Sequence, residues 1–208
     1  MASPNGPDDG SSALVAPARG GRPRTTTPAA ISHVALQLFL ERGFDATTVD
    51  DVAAAAGVGR RTLFRYFPSK NDLPWGDFEA ELDRMREYLD ALPEDLPLFE
   101  SLRRTVLDFN TFPAQEVPYH RERMRLLLEV PALVAHSTLR YAAWRQVVAD
   151  FVAQRVGAAP DELRPQAVAW ACLGLCLSAY EQWLRTDDAD LPDLLDAAFR
   201  LFEDRAGA

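Results

Sequence analysis

The sequence predicts an all-α protein: a three-helix head containing a helix-turn-helix, joined to a larger helical body, about nine helices together. Three observations predict it. Apolar residues recur at helical spacing along most of the chain. Prolines near positions 93, 97, 113, 131, 160 and 192 cut the second part into helix-length pieces. No strand-like alternation between paired turn signals occurs. The expected division is a tail with a basic arm over 1–24, a DNA-binding head over 25–70, and a ligand-binding and dimerisation body over 71–208.

The first helix is expected over Pro28 to Arg42. Thr27 can cap it with Pro28 at the first helical position, and Ile31, Val34, Ala35, Leu38 and Phe39 make its apolar face before Gly43 ends it. Phe39 and Phe44 are expected to pack against the next elements, and His33 to lie exposed. The second helix starts near Val49, where Thr48 and Asp51 form a capping-box pattern. Gly57 stops it, since glycine takes the left-handed conformation without steric cost, and Gly59 lets the chain turn again. In the third helix Leu63 and Phe67 fall at i and i+4 with Phe64 beside them, so Arg60, Arg61, Thr62, Arg65 and Tyr66 project from the opposite arc. Pro68 cannot continue this helix, and Ser69 with Asp72 is placed to cap the next.

Six helical pieces are expected beyond it, over 70–91, 98–110, 116–129, 132–155, 161–185 and 190–204. The first is read as one continuous lever, with Pro74 tolerated near its start and Trp75 and Phe78 bridging head and body. Among the middle helices, Phe109, Phe112, Met124, Leu127, Leu128 and Tyr141 supply aromatic and flexible apolar surface of the kind that lines ligand pockets. Trp144, Trp170, Leu173, Leu177 and Tyr180 extend that set, and Arg123 is the candidate for a polar or anionic head. Asn110, His120, Glu129, Arg140 and Arg145 are interleaved with them. The penultimate helix carries Ala167, Ala171, Gly174 and Ser178 in a small-residue stripe that lets another helix approach closely. With Leu194 and Leu195 of the last helix it is the candidate dimer interface.

Net charge is −9, which opposes phosphate binding unless the positive charge is local. It is local. Residues 19–70 hold eight basic side chains against four acidic ones, whereas 71–208 hold 14 against 25. Lys70 is the only lysine in the chain. Arg22 and Arg24 lie in a Gly-Arg-Pro arm of the kind that enters a minor groove.

Other function classes find little support. No GxSxG, HExxH, Walker loop or complete GxGxxG is present, so no enzyme and no cofactor are expected. His33, His120 and His136 have no metal-like spacing, and Cys172 and Cys176 read as core residues. No apolar run is long enough for a membrane span, and the first residues lack a secretory pattern, so a cytoplasmic protein is expected.

Thr47-Thr48-Val49, Ala55-Ala56-Gly57-Val58-Gly59 and Thr62-Leu63-Phe64-Arg65-Tyr66-Phe67-Pro68-Ser69-Lys70 together resemble the DNA-binding motif of the TetR family of bacterial regulators. About a dozen positions agree in order and spacing, and the likeness covers roughly residues 27–75. Gly59 stands where serine is frequent and Phe64 where tyrosine is. The resemblance implies that Thr47, Thr48, Arg60, Arg61, Thr62, Arg65, Tyr66 and Lys70 contact DNA. It also implies a homodimer on a palindromic or near-palindromic operator, released by a small effector. RRTLFRYFPSKNDLPWGDF, FNTF, HRERMRLLLEVPAL and YAAWRQVVADFVAQR further resemble the branch of that family associated with mycofactocin gene clusters. That implies an amphipathic effector with an apolar tail, such as an acyl thioester. The competing reading is a helical protein-interaction module whose basic head has no DNA operator.

Overall fold

Capping and helix-stop residues place each element of the head. A computed structural model describes residues 27–206. The first helix, α1 (Pro28–Arg42), begins where Thr27 Oγ1 accepts from the Ala30 N–H at 3.2 Å. In α2 (Val49–Ala55) the capping box is complete: the Asp51 N–H donates to Thr48 Oγ1 at 3.1 Å, and the Thr48 N–H donates back to Asp51 at 2.8 Å. Gly57 follows at φ 67°, where a side chain would be strained, and α3 (Arg60–Tyr66) then starts at Gly59 without a side-chain cap. Ile31, Phe39, Val52, Leu63 and Phe67 are buried between the three helices, and the rings of Phe39 and Phe44 tilt at 5.0 Å.

The expected lever over 70–91 is two elements. Lys70–Trp75 is a 3₁₀ segment, Gly76 sits at φ 62°, and α4 (Phe78–Ala91) starts only after it. The reason is local: Pro74 has no N–H to give and biases Leu73 away from helical dihedrals, and Gly76 then takes a conformation open mainly to glycine. The rest of the body follows as α5 (Leu98–Phe109), α6 (Val117–Glu129), α7 (Pro131–Val156), α8 (Leu163–Arg185) and α9 (Leu191–Ala206). Each lies within two residues of its expected span. Among the described residues there are nine α-helices and no strand. Nor is any described helix long and apolar enough to cross a membrane.

In the body α8 packs against both α7 and α9, while α5 closes on α9 and α6 on α7. Leu133, Val148, Val152, Cys172, Trp183, Leu195 and Phe199 fill the centre. Arg103 of α5 pairs with both Glu100 and Asp196 of α9, and hydrogen bonds from Arg103 and Arg104 draw the Glu100 carboxyl down to about 2.

Head and body join at Asp72, which is 5% exposed. Its Oδ2 accepts from the Ser69 N–H at 2.9 Å and the Ser69 hydroxyl at 2.7 Å, closing the cap of the 3₁₀ segment. Its Oδ1 accepts from His136 Nε2 at 2.8 Å and Arg140 Nη2 at 2.7 Å, both on α7. Burial pushes the Asp72 carboxyl up, but the hydrogen bonds from Ser69, His136 and Arg140 outweigh it and hold the group below its ordinary value. A carboxyl so held stabilises the fold above its unfolded value and loses that contribution as pH falls through the lower, folded value.

Asp72→Asn should therefore cost about 3 kcal/mol at neutral pH, since it leaves Arg140 without its buried anion. Denaturant unfolding should show the gap between variant and parent narrowing as pH drops below about 4. A gap independent of pH would rule out the ionised carboxylate as its source.

Candidate nucleic-acid interface and ligand chamber

The exposed face of α3 carries the chemistry expected of a DNA reader. Arg61 is exposed and has no ion-pair partner among the described residues. Arg60 is exposed as well and pairs with Asp50 at 2.7 Å, its guanidinium 5.4 Å from the Phe64 ring centroid. A surface pair of this kind is weak and yields readily to a phosphate. Arg65 donates to the Tyr66 hydroxyl at 3.0 Å and lies over that ring, and both face outward with half-buried Thr62. Lys70 sits at the edge of this surface with Nζ 4.2 Å from the Phe44 ring centroid and 3.4 Å from the Asp45 carbonyl. Partial burial lowers its pKa and Asp45 opposes the shift. Phe64 is 37% exposed and so leaves the apolar face it was expected to join.

Thr47 is a correction. It is 1% exposed, and its hydroxyl donates to the carbonyls of Leu38 at 3.2 Å and Gly43 at 2.9 Å. It staples the end of α1 to the start of α2 and cannot reach DNA. Thr48 is exposed, but its hydroxyl is engaged by Asp51 in the cap. Arg22 and Arg24 lie outside the described residues. His33, expected exposed, is half-buried and packs at a tilt on the Tyr119 ring of α6, centroids 4.3 Å apart, a second tie between head and body.

The chamber lies between α4, α5, α6, α7 and α8. Phe109, Met124, Tyr141, Trp144, Leu173, Leu177 and Tyr180 line it as expected. Trp75, Phe78, Asn110 and Cys176 join them around a cavity of about 80 Å³. Trp75 meets Phe78 edge-on at 4.9 Å and Tyr141 at 5.8 Å. Phe112, Arg123 and Leu127 wall an adjoining cleft that opens between α1, α4 and α6 and shares Trp75, Phe78, Phe109 and Met124 with the chamber. Leu128 lines a separate groove with Val134 and Leu184.

Two further assignments change. Trp170 is 56% exposed and has the Arg145 guanidinium 3.5 Å above its ring, so it does not line the chamber. It lies about 40° around α8 from Gly174, on the outward stripe that holds Ala167, Gly174 and Ser178, with Ala171 half-buried beside it. Leu195 is 0% exposed and belongs to the protomer core. Adjacent helical residues point about 100° apart, so only half-buried Leu194 of that pair turns outward. Arg140 is held by Asp72 and Glu79, so of the interleaved polar side chains expected there Asn110, His120 and Arg123 lie at the chamber and its cleft. Cys176 shares the chamber wall, but burial pushes its thiol well above the ordinary value, and that of Cys172 to about 12, so neither is a nucleophile. No group of acidic, cysteine or histidine side chains among the described residues is placed to hold a metal.

Residues 31–73 match the family described as "Bacterial regulatory proteins, tetR family", and residues 96–207 match the "MftR C-terminal domain". The candidate mycofactocin biosynthesis transcriptional regulator MftR of Mycobacterium tuberculosis is 50% identical over 181 residues, 87% of this chain and 91% of that protein. The fatty acid degradation regulator FadR from Bacillus halodurans superposes with a TM-score of 0.60 at 18% identity, covering 86% of this chain and 96% of its own. FadR from Thermus thermophilus, described as a TetR family transcriptional repressor in complex with lauroyl-CoA, gives 0.55 at 22% identity over 85% and 93%. At these identities both structures support the fold alone.

Arg61→Ala should weaken operator binding about tenfold or more while leaving the unfolding midpoint unchanged. Thr47→Val should do the reverse, costing about 1 to 2 kcal/mol of stability by removing the one buried hydroxyl proton that the two carbonyls share. A competition assay on duplexes altered at single base pairs, paired with thermal unfolding, separates these effects. Equal loss of DNA affinity in a folded Thr47→Val protein would overturn its structural assignment.

Proposed function

This chain belongs to the TetR family of bacterial transcriptional regulators, and on that premise we propose that it is a homodimeric repressor released from its operator by an amphipathic effector. One observation carries the proposal: the 3₁₀ segment Lys70–Trp75 belongs to the reader surface, the head-body joint and the chamber wall together. Lys70 borders the reader, Asp72 grips α7, and Trp75 lines the chamber. Whatever fills the chamber presses on the segment that carries the reader. The empty and filled packings then differ in reader placement, and the effector shifts the population between them.

The effector reading rests on the lining. It is apolar and aromatic with a few polar groups at one end, which suits an apolar tail with a polar head. An acyl thioester meets that description, and lauroyl-CoA is the ligand named for the Thermus thermophilus structure. Control of mycofactocin-linked genes is supported by the identity to the Mycobacterium tuberculosis relative. The dimer reading rests on α8, where Leu163, Ala167, Trp170, Gly174 and Ser178 form an exposed and largely apolar stripe. Two readers so joined would engage half-sites spaced by about one helical turn, roughly 34 Å, or a multiple.

Lauroyl-CoA should raise the operator Kd by about tenfold, and operator DNA should weaken lauroyl-CoA binding by the same factor, because coupling is reciprocal. Titration calorimetry of the free and DNA-bound protein measures both, and equal effector affinity in the two forms would refute the coupling. Gly174→Arg, which places a charged side chain into open space on the stripe, should give a monomer by sedimentation and weaken operator binding by about a hundredfold. A dimer that persists in this variant would move the interface elsewhere. If selection from random duplexes retains no sequence, the interaction-module reading replaces the repressor.

A further inference from the structure

The cleft beside the chamber gathers buried polar atoms that the protein itself leaves unpaired. Ser32 Oγ, Trp75 Nε1, His120 Nδ1 and Arg123 Nε are all buried without a hydrogen-bond partner among the described residues. All four belong to residues that wall this cleft between α1, α4 and α6. Buried polar groups are nearly always satisfied, so a cluster on one cavity points to a group that enters from outside.

The hydrogen-bond network fixes what each atom offers. Asn110 Nδ2 donates to the Val106 carbonyl at 2.7 Å, so Asn110 turns its Oδ1 to Tyr180. The Tyr180 hydroxyl donates its single proton to that oxygen at 2.5 Å. Its oxygen is then free only to accept, which it does from His120 Nε2 at 2.8 Å. Burial, and then the nearby Arg123 charge, press the His120 pKa down to about 3, so the ring is neutral and its one proton sits on Nε2. Nδ1 is left as a bare acceptor, on a ring stacked against Phe112 at 3.9 Å. Trp75 Nε1 and Arg123 Nε can only donate.

Charge narrows the ligand further. Arg123 is the basic side chain of the cleft, and Glu81, Glu116 and Asp77 line it too. Burial disfavours Arg123 as a cation and lowers its pKa, and Glu116 and Glu81 oppose that only in part. A carboxylate entering here would satisfy the donors but meet those acids and leave His120 Nδ1 unpaired.

We propose that this cleft is the head-group site of the effector and selects a neutral group that both donates and accepts hydrogen bonds, an amide or a hydroxyl, over a carboxylate. The inference rests on the ligand-chamber reading above and deepens it. Tail and head fit one molecule because the cleft and the chamber share Trp75, Phe78, Phe109 and Met124. Ser32 and His33 of α1 form part of the same wall, so a bound head touches the reader domain directly.

Calorimetry on the full chain with three ligands of one tail length tests this: N-(2-hydroxyethyl)dodecanamide, dodecanoate and methyl dodecanoate. The amide should bind about tenfold tighter than either of the others, the discrimination expected of a site with buried polar groups to satisfy. His120→Phe should abolish the preference over the ester, because the amide N–H then has no acceptor there. Trp75→Phe removes the indole N–H together with part of the ring. It should weaken amide and ester alike by about threefold and preserve the preference between them. Dodecanoate binding as tightly as the amide would overturn the proposal in favour of an anion site. Equal binding of amide and ester would overturn it by showing that water satisfies His120. If the ester and the other two all fail to bind, the chamber reading falls and this inference falls with it.

Discussion

The Asp72 carboxylate is the constraint on which the arrangement of this molecule turns. One oxygen closes the cap of the 3₁₀ segment leaving the reader, and the other holds His136 and Arg140 of α7. A buried anion with this many donors has little freedom to shift, because losing any one partner leaves charge uncompensated in a poorly solvated place. The reader is therefore referenced to α7 through a short, stiff link. The tilted contact of His33 with Tyr119 supplies a second point of contact, and two points define an orientation better than one.

That link also forms the wall of the cavity. Trp75 lies three residues beyond Asp72 and meets Tyr141 and Phe78 inside the chamber. Gly76 breaks the helix immediately after it, so α4 is not continuous with the 3₁₀ segment. A rigid lever running from reader to body would transmit any movement of the body. Charge is divided along the same boundary, with the basic side chains on the reader and the acidic excess in the body. DNA is thus attracted to one end of an otherwise repelling surface.

Much of this was legible in the sequence where the signal is local. The capping pairs Thr48 with Asp51 and Ser69 with Asp72, the stop at Gly57, and the apolar pair Leu63 and Phe67 all form as their spacing implies, because each depends on neighbours within a turn or two. Most of the chamber lining was legible too, since Phe109, Met124, Tyr141, Trp144, Leu173, Leu177 and Tyr180 are apolar residues on inward helix faces. Thr47, Trp170 and Leu195 were not. Thr47 looks like any exposed threonine beside a cap until the carbonyls of Leu38 and Gly43 come within reach. Trp170 and Leu195 are apolar residues whose burial is decided by what packs across from them.

By itself the sequence determined the helical class, the reader motif, the element boundaries outside 70–91 to within about two residues and the segregation of charge, because dihedral preference, capping and periodicity act over short separations along the chain. Tertiary structure alone decided that Asp72 finds His136 and Arg140 more than sixty residues away. It alone decided that His120, Tyr180 and Asn110 form one network with a defined proton position, and that four unpaired polar atoms gather on a single cleft. Those outcomes depend on how helices distant in sequence cross, and no local pattern encodes a crossing.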